Sequence, residues 1–188
     1  MAEFTLEAKP VLGGFTKDWS GTTLTELTNL AAVAVSVPAG GEKKLSAALK
    51  KSYGDGVPAV GESYVSKDGA RVVGFAQDQM MVLWDHPPHG GVATVSGQLG
   101  DTGYFVEQTS NWVFLELSGP LSRASLERLS ALNLHPDVYP VDRAERTIME
   151  HMGALVVRTG EDTFLLASAS SSARSFAHAV ETSLDWVS

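Results

Sequence analysis

The middle of the chain repeats itself at a spacing of 84 residues. Gly69-Ala70-Arg71-Val72-Val73 is answered by Gly153-Ala154-Leu155-Val156-Val157, Asp78 by Asp162, and Met80-Met81-Val82 by Phe164-Leu165-Leu166. Read backwards without a gap, the same register places Leu45-Ser46-Ala47 on Leu129-Ser130-Ala131. A repeat of this length is a whole supersecondary unit, so both copies must solve the same packing problem. Each reads as a helix, an extended connection and two strands joined by an acidic turn.

Local patterning fills in the units. Leu30–Val37 alternates valine with small residues and stops at Pro38-Ala39-Gly40-Gly41, a buried strand closed by a turn. Leu45, Ala48 and Leu49 fall at helical spacing, with Lys43-Lys44 and Lys50-Lys51 solvating the other face, and Gly54-Asp55-Gly56 stops that helix. A strand near 62–66 turns at Lys67-Asp68-Gly69 into strands over 70–76 and 79–84. After Pro87-Pro88, Val92, Val95 and Leu99 share a helical face, and Tyr104-Phe105-Val106 is a short strand. The second copy opens with a strand over 112–117, breaks at Ser118-Gly119-Pro120, and enters a helix carrying Leu126 and Leu129 with Ser122 as its expected N-cap. Leu134-His135-Pro136-Asp137-Val138-Tyr139-Pro140 must be extended, because each proline disfavours the helical region for the residue before it. Strands follow over 146–152, 154–158 and 163–167. In the last helix Phe176, Val180 and Leu184 form an apolar stripe widened by Ala173 and Ala177.

Each unit is therefore β-α-β-β-(β)-α-β. The expected fold class is α+β, a tandem pseudo-repeat of ferredoxin-like (split βαβ) units with mainly antiparallel sheets and helices on one side. The expected organisation is an N-terminal arm over 1–29, a first unit over 30–109 and a second over 110–188, all in one compact pseudo-symmetric domain. The sheet faces left bare by the helices must meet each other or another protein.

Composition narrows the chemistry. Fourteen basic residues stand against 22 acidic ones, for a net charge of −8, and no basic patch interrupts them, which argues against nucleic acid. With no cysteine there is no disulfide framework, thiolate metal site or thiol nucleophile. The acidic N-terminus and the lack of any apolar run near the roughly 20 residues of a membrane span lead us to expect a soluble, cytoplasmic protein without membrane contact. His86-Pro87-Pro88-His89 is the tightest pair of potential metal ligands, yet the prolines prevent a helix, so it reads as a surface loop. His151 falls on a strand and His178 on a helix. No Gly-x-Ser-x-Gly elbow, Gly-x-Gly-x-x-Gly or Walker loop occurs. Asp78 and Asp162 are explained as turn residues, and Asp137, Asp142 and Glu145, with Arg143 and Arg146 interleaved, read as a solvated or ion-paired loop. We assign no catalytic, cofactor-binding or metal-binding residue to this chain.

Three motifs carry a resemblance. Trp112-Val113 to Leu117-Ser118-Gly119-Pro120, then Leu134-His135-Pro136-Asp137-Val138-Tyr139-Pro140, then Ser172-Ala173-Arg174-Ser175-Phe176-Ala177 resemble, in order and spacing, the gamma subunit of heterotetrameric sarcosine oxidase. The resemblance is good over 104–188 and looser over 24–103. That family is itself similar to the N-terminal part of the folate-dependent aminomethyltransferase (T-protein), which implies the duplicated α+β architecture. Because the sequence ends at Ser188, the additional C-terminal domain of those relatives is expected to be missing, and no complete folate pocket is expected on this chain alone. The resemblance implies a noncatalytic subunit of a complex that oxidatively demethylates sarcosine to glycine. Its partners are the alpha, beta and delta subunits, and FAD, FMN, NAD and tetrahydrofolate belong to chains other than this one. Trp19, His135, Arg174 and Phe176 are the residues expected at the partner interface. Trp84 and Trp112 are expected to pack in the core, and Arg174 either anchors a partner carboxylate or solvates its helix. Two other readings stand beside this one: a stand-alone folate-binding one-carbon protein and a homodimeric interaction module.

Overall fold

The computed structural model describes residues 9–85 and 90–188. The acidic N-terminal residues 1–8 and the His86-Pro87-Pro88-His89 loop lie outside the described residues. Among the described residues the helices are α1 (Glu42–Tyr53), α2 (Gly91–Leu99), α3 (Ser122–Leu129) and α4 (Ala173–Val187). A five-stranded sheet contains β3 (Leu30–Ser36), β4 (Ser63–Val65), β5 (Arg71–Ala76), β6 (Gln79–Asp85) and β7 (Tyr104–Glu107), in the order β4-β5-β6-β3-β7. A six-stranded sheet contains β1 (Thr16–Trp19), β2 (Thr22–Glu26), β8 (Trp112–Ser118), β9 (Ala144–Met149), β10 (Met152–Arg158) and β11 (Thr163–Ala169), in the order β1-β2-β8-β11-β10-β9. Every neighbouring pair is antiparallel.

Strand alternation divides the side chains between two faces. Val33, Val35, Val72 and Val82 face α1 and α2, where they bury Leu45, Leu49, Val95 and Leu99. Leu115, Leu117, Val156 and Leu166 face α3 and α4, around Leu126, Phe176, Val180 and Leu184. The other faces meet each other: Ala32, Val73, Met81 and Leu83 from one sheet pack on Phe114, Leu155, Val157 and Leu165 from the other. The layers are thus helix, sheet, sheet, helix, and each bare sheet face finds its twin. Each large apolar side chain buried in these layers contributes roughly 1.5–3 kcal/mol relative to exposure.

The repeat is real in register where sheet pairing fixes it. Val72 lies opposite Val82 and Val156 opposite Leu166, each pair shifted by the same 84 residues. The ungapped backward extension does not hold. Val33 and Leu115 are the partners of Val82 and Leu166, an offset of 82 residues. Leu45 sits in the first turn of α1, whereas Leu129 is the last residue of α3. Ladder hydrogen bonds hold the hairpins in step, while the lengths of helices and connections are free to drift.

In the five-stranded sheet β6 lies between β5 and β3 and is antiparallel to both. Three strands, β4, β5 and β6, stand between α1 and α2. Residues of the expected N-terminal arm take sheet positions: β2 pairs with β8 and β1 pairs with β2.

Two local expectations are corrected. The strand read over 146–152 is broken by a hairpin turn at Glu150 (φ 45) and His151 (φ 71), with Met149 opposite Met152. Two positive φ values in a two-residue loop suit the right-handed twist of the strands, but the sequence lacks the Asn-Gly that usually announces such a turn. Both residues sit in the left-handed region that costs L side chains about 1–2 kcal/mol. We expect Glu150→Asn with His151→Gly to stabilise the chain by roughly 1 kcal/mol, measured as a shift of the urea unfolding midpoint at constant slope. Likewise Ser122 is no N-cap. Leu121 takes that position without a side-chain cap, and the buried Ser122 hydroxyl has no hydrogen-bond partner.

One side of the sandwich is stitched shut. Glu62 bridges to Arg143, the Ser63 N–H donates to the Asp142 carbonyl at 2.9 Å, and Arg71 Nη1 lies 2.6 Å from Asp142 Oδ1. Arg143 also pairs with Glu145, so the stretch read as an ion-paired loop is the seam between the two sheets. Among the described residues no helix is long and apolar enough to cross a membrane.

Candidate functional site

Three of the four interface candidates gather around α4. Trp19, at the end of β1, is 6% exposed and donates its ring N–H to Asp185 Oδ1 at 2.6 Å. Lys17 lies 4.3 Å above the same ring and reaches Glu181 at 3.2 Å, so β1 is fastened along α4. Phe176 is fully buried in the core beneath that helix. As folded, both side chains are buried within this chain. Arg174 is exposed at the start of α4. With Leu12 and Phe15 it borders a cleft of about 530 Å³ between the helix and the N-terminal segment.

His135 stands apart from this group. Its backbone N–H donates to Asn133 Oδ1 at 3.1 Å, its Nδ1 accepts from the Asp137 N–H at 3.3 Å, and 59% of its side-chain surface is exposed. The motif around it packs the chain's own interior. Leu134 is fully buried, and Tyr139 is buried with its hydroxyl donating to the Val156 carbonyl at 2.7 Å. Burial raises the Tyr139 hydroxyl pKa above the ordinary phenol value, which keeps it the protonated donor this contact needs.

Sequence reading passed over the polar groups that do most to position this region. Arg158 is 6% exposed, yet its Nη1 donates to the Tyr139 carbonyl at 2.8 Å and its Nε to the Gly160 carbonyl at 3.1 Å. A buried guanidinium satisfied by carbonyls leaves no sequence trace, since its partners are backbone. Glu26 is the second case. The residue is 6% exposed, and its carboxylate accepts from the N–H groups of Leu12 at 2.9 Å, Gly14 at 2.7 Å and Phe15 at 3.3 Å, folding the entry segment onto β2. The spacing from 12 to 26 resembles no known motif, so only the folded chain reveals it.

Other residues singled out in the sequence are dispersed. His151 is exposed in its hairpin turn and His178 is exposed on α4. Asp78 lies in the turn between β5 and β6, and Asp162 in that between β10 and β11. Trp84 and Trp112 are partly buried against the core, the latter edge-on to Phe75 at 5.7 Å. Among the described residues no three His, Asp or Glu side chains come together as a metal site.

Comparison with known proteins gives this arrangement its family. Residues 88–187 match the "Sarcosine oxidase, gamma subunit family". The chain is 31% identical over 121 residues to sarcosine oxidase subunit gamma of Arthrobacter sp., covering 63% of this chain and 59% of that relative's length. It is also 31% identical over 120 residues to the same subunit from Corynebacterium sp. strain U-96, covering 63% and 58%. A chain of the heterotetrameric sarcosine oxidase of Corynebacterium sp. U-96, solved in complex with pyrrole 2-carboxylate, is similar with a TM-score of 0.76 and 26% identity, covering 88% of this chain and 85% of that one. The glycine cleavage system aminomethyltransferase T of Bartonella henselae shares the fold, with a TM-score of 0.64 and 18% identity over 85% of this chain and 45% of its own. The family match spans the eight elements from α2 to α4, the part in which all three sequence motifs pack, and the chain belongs to the sarcosine oxidase gamma subunit family.

Proposed function

We propose that this chain is the noncatalytic gamma-type subunit of a heterotetrameric sarcosine oxidase, which oxidatively demethylates sarcosine to glycine. In this reading its partners are the alpha, beta and delta subunits, the larger alpha and beta chains carry FAD, FMN, NAD and tetrahydrofolate, and this chain assembles or stabilises the flavin-bearing subunits. One observation carries the structural role. The side chains behind the family resemblance, Leu134, Tyr139, Ala173 and Phe176, are buried in this chain's own core, so what they supply is a shaped body. We further propose that units 30–109 and 110–188 are one duplicated ferredoxin-like element with an added strand, forming a single pseudo-symmetric domain. The order β4-β5-β6-β3 matching β9-β10-β11-β8 supports this, while the place of β7 in the second sheet is taken by β2, from outside the second unit. Of the interface candidates, the exposed His135 and Arg174 are those assigned to partner contacts, while Trp19 and Phe176 shape the surface from beneath.

The test is co-expression of the three partner subunits with and without this chain. The reading predicts that omission lowers both the flavin recovered per assembled complex and the rate of sarcosine oxidation. Unchanged flavin content and rate would sink it. A tetrahydrofolate titration of the chain alone separates the stand-alone folate-binding reading, which requires saturable binding.

A further inference from the structure

We propose that the outer edge of β7 receives an extended segment of a partner subunit, which adds as a sixth strand to the five-stranded sheet. This rests on the gamma-subunit reading and names the surface through which it acts. The six-stranded sheet shows the position filled: beyond β8 lie β2 and then β1. In the five-stranded sheet β7 holds the place of β2 beside β3, and among the described residues nothing holds the place of β1.

The edge is built to pair. The Gln108 N–H donates to the Ala32 carbonyl at 2.8 Å. By the alternation of an antiparallel ladder, Phe105 and Glu107 therefore turn their N–H and C=O groups away from β3. Tyr104 and Val106 lie opposite Ser36 and Ala34, on the face turned toward the other sheet, but are 66% and 51% exposed because that sheet does not reach them. Free edges are ordinarily blunted by charge or cover. The other three edges obey: β1 carries Lys17 and Asp18, β9 carries Glu145 and Arg146, and β4 lies against the Asp142–Arg143 seam. β7 reads Tyr-Phe-Val before its single charge at Glu107.

Charge selects the occupant. A second copy would bring another net charge of −8 to the same edge, and such self-repulsion disfavours it. The segment that fits is apolar beside Tyr104 and Val106, neutral or basic opposite Glu107, and antiparallel to β7 as β1 is to β2.

The experiment uses the assembled complex. Amide exchange at Phe105 and Glu107 is compared between the complex and the chain alone, and the Tyr104→Lys/Val106→Lys double variant is carried through the same co-purification. We expect exchange at both amides to slow by at least about tenfold on assembly, as for amides entering a ladder. The double variant, altered only at exposed positions, should keep its melting temperature and lose at least about tenfold in partner recovery, as a charged edge does. If wild type assembles while these amides exchange as before, or the double variant assembles equally well, the edge proposal is overturned and the gamma reading stands. Protection already present in the chain alone overturns it in favour of self-association. If wild type recovers no flavin-bearing partner at all, the gamma reading itself fails, and the edge proposal with it.

Discussion

Replacing Phe176 by alanine should lower the stability of the isolated chain by roughly 3–5 kcal/mol, the range for deleting a buried aromatic ring. Phe176, Val180 and Leu184 are each fully buried and form the stripe by which α4 covers the six-stranded sheet. The cavity would open where Leu117, Val156 and Leu166 now close on the helix. A domain stability of about 5–15 kcal/mol leaves little margin for such a loss, and at this chain length it shifts the melting temperature by on the order of 10 °C. Arg174→Ala, two residues away and exposed, should stay within about 0.5 kcal/mol of wild type. Differential scanning calorimetry of the two variants separates a core role from a surface one. Equal melting temperatures would show that Phe176 is not the core residue described above.

Gly119→Ala is expected to cost roughly 2–5 kcal/mol, combining backbone strain with overpacking. Gly119 has φ 132, and a β-carbon there would lie 2.4 Å from the Gly21 carbonyl oxygen. The close approach has a purpose: Thr22 Oγ1 accepts the Leu121 N–H at 3.0 Å, tying the start of α3 to the turn between β1 and β2. Relief requires the N-terminal hairpin to shift, because the obstructing atom is backbone. The prediction is therefore specific. Urea unfolding should show the loss, and amide protection should fall first in β1 and β2, with the five-stranded sheet unaffected at low denaturant.

These two residues show what the sequence disclosed and what it withheld. The spacing of Phe176, Val180 and Leu184 already placed Phe176 in a helix core, so the interface role drawn from its motif conflicted with its own periodicity. In the folded chain its side chain is fully buried. Strands of continuous apolar character, such as β3, β5, β6 and β10, were legible because both of their faces are buried. The pair β1 and β2 was not, since Thr-Lys-Asp-Trp and Thr-Thr-Leu-Thr-Glu show one sheet face to solvent and hold few apolar residues. Trp19 looked like an anchor on a free arm for the same reason. Its partner Asp185 lies 166 residues away, and no local pattern reports such a contact. The carbonyl cradle of Arg158 and the amide cradle of Glu26 engage backbone groups, which every residue carries.

The most direct test of the central claim is native mass spectrometry of this chain affinity-purified from its own host under non-denaturing conditions. A subunit of the sarcosine oxidase family should emerge in a complex with three other, different chains, one copy of each, with flavin mass retained on the partners. A species containing this chain alone, as monomer or homo-oligomer, from cells actively oxidising sarcosine would contradict the account.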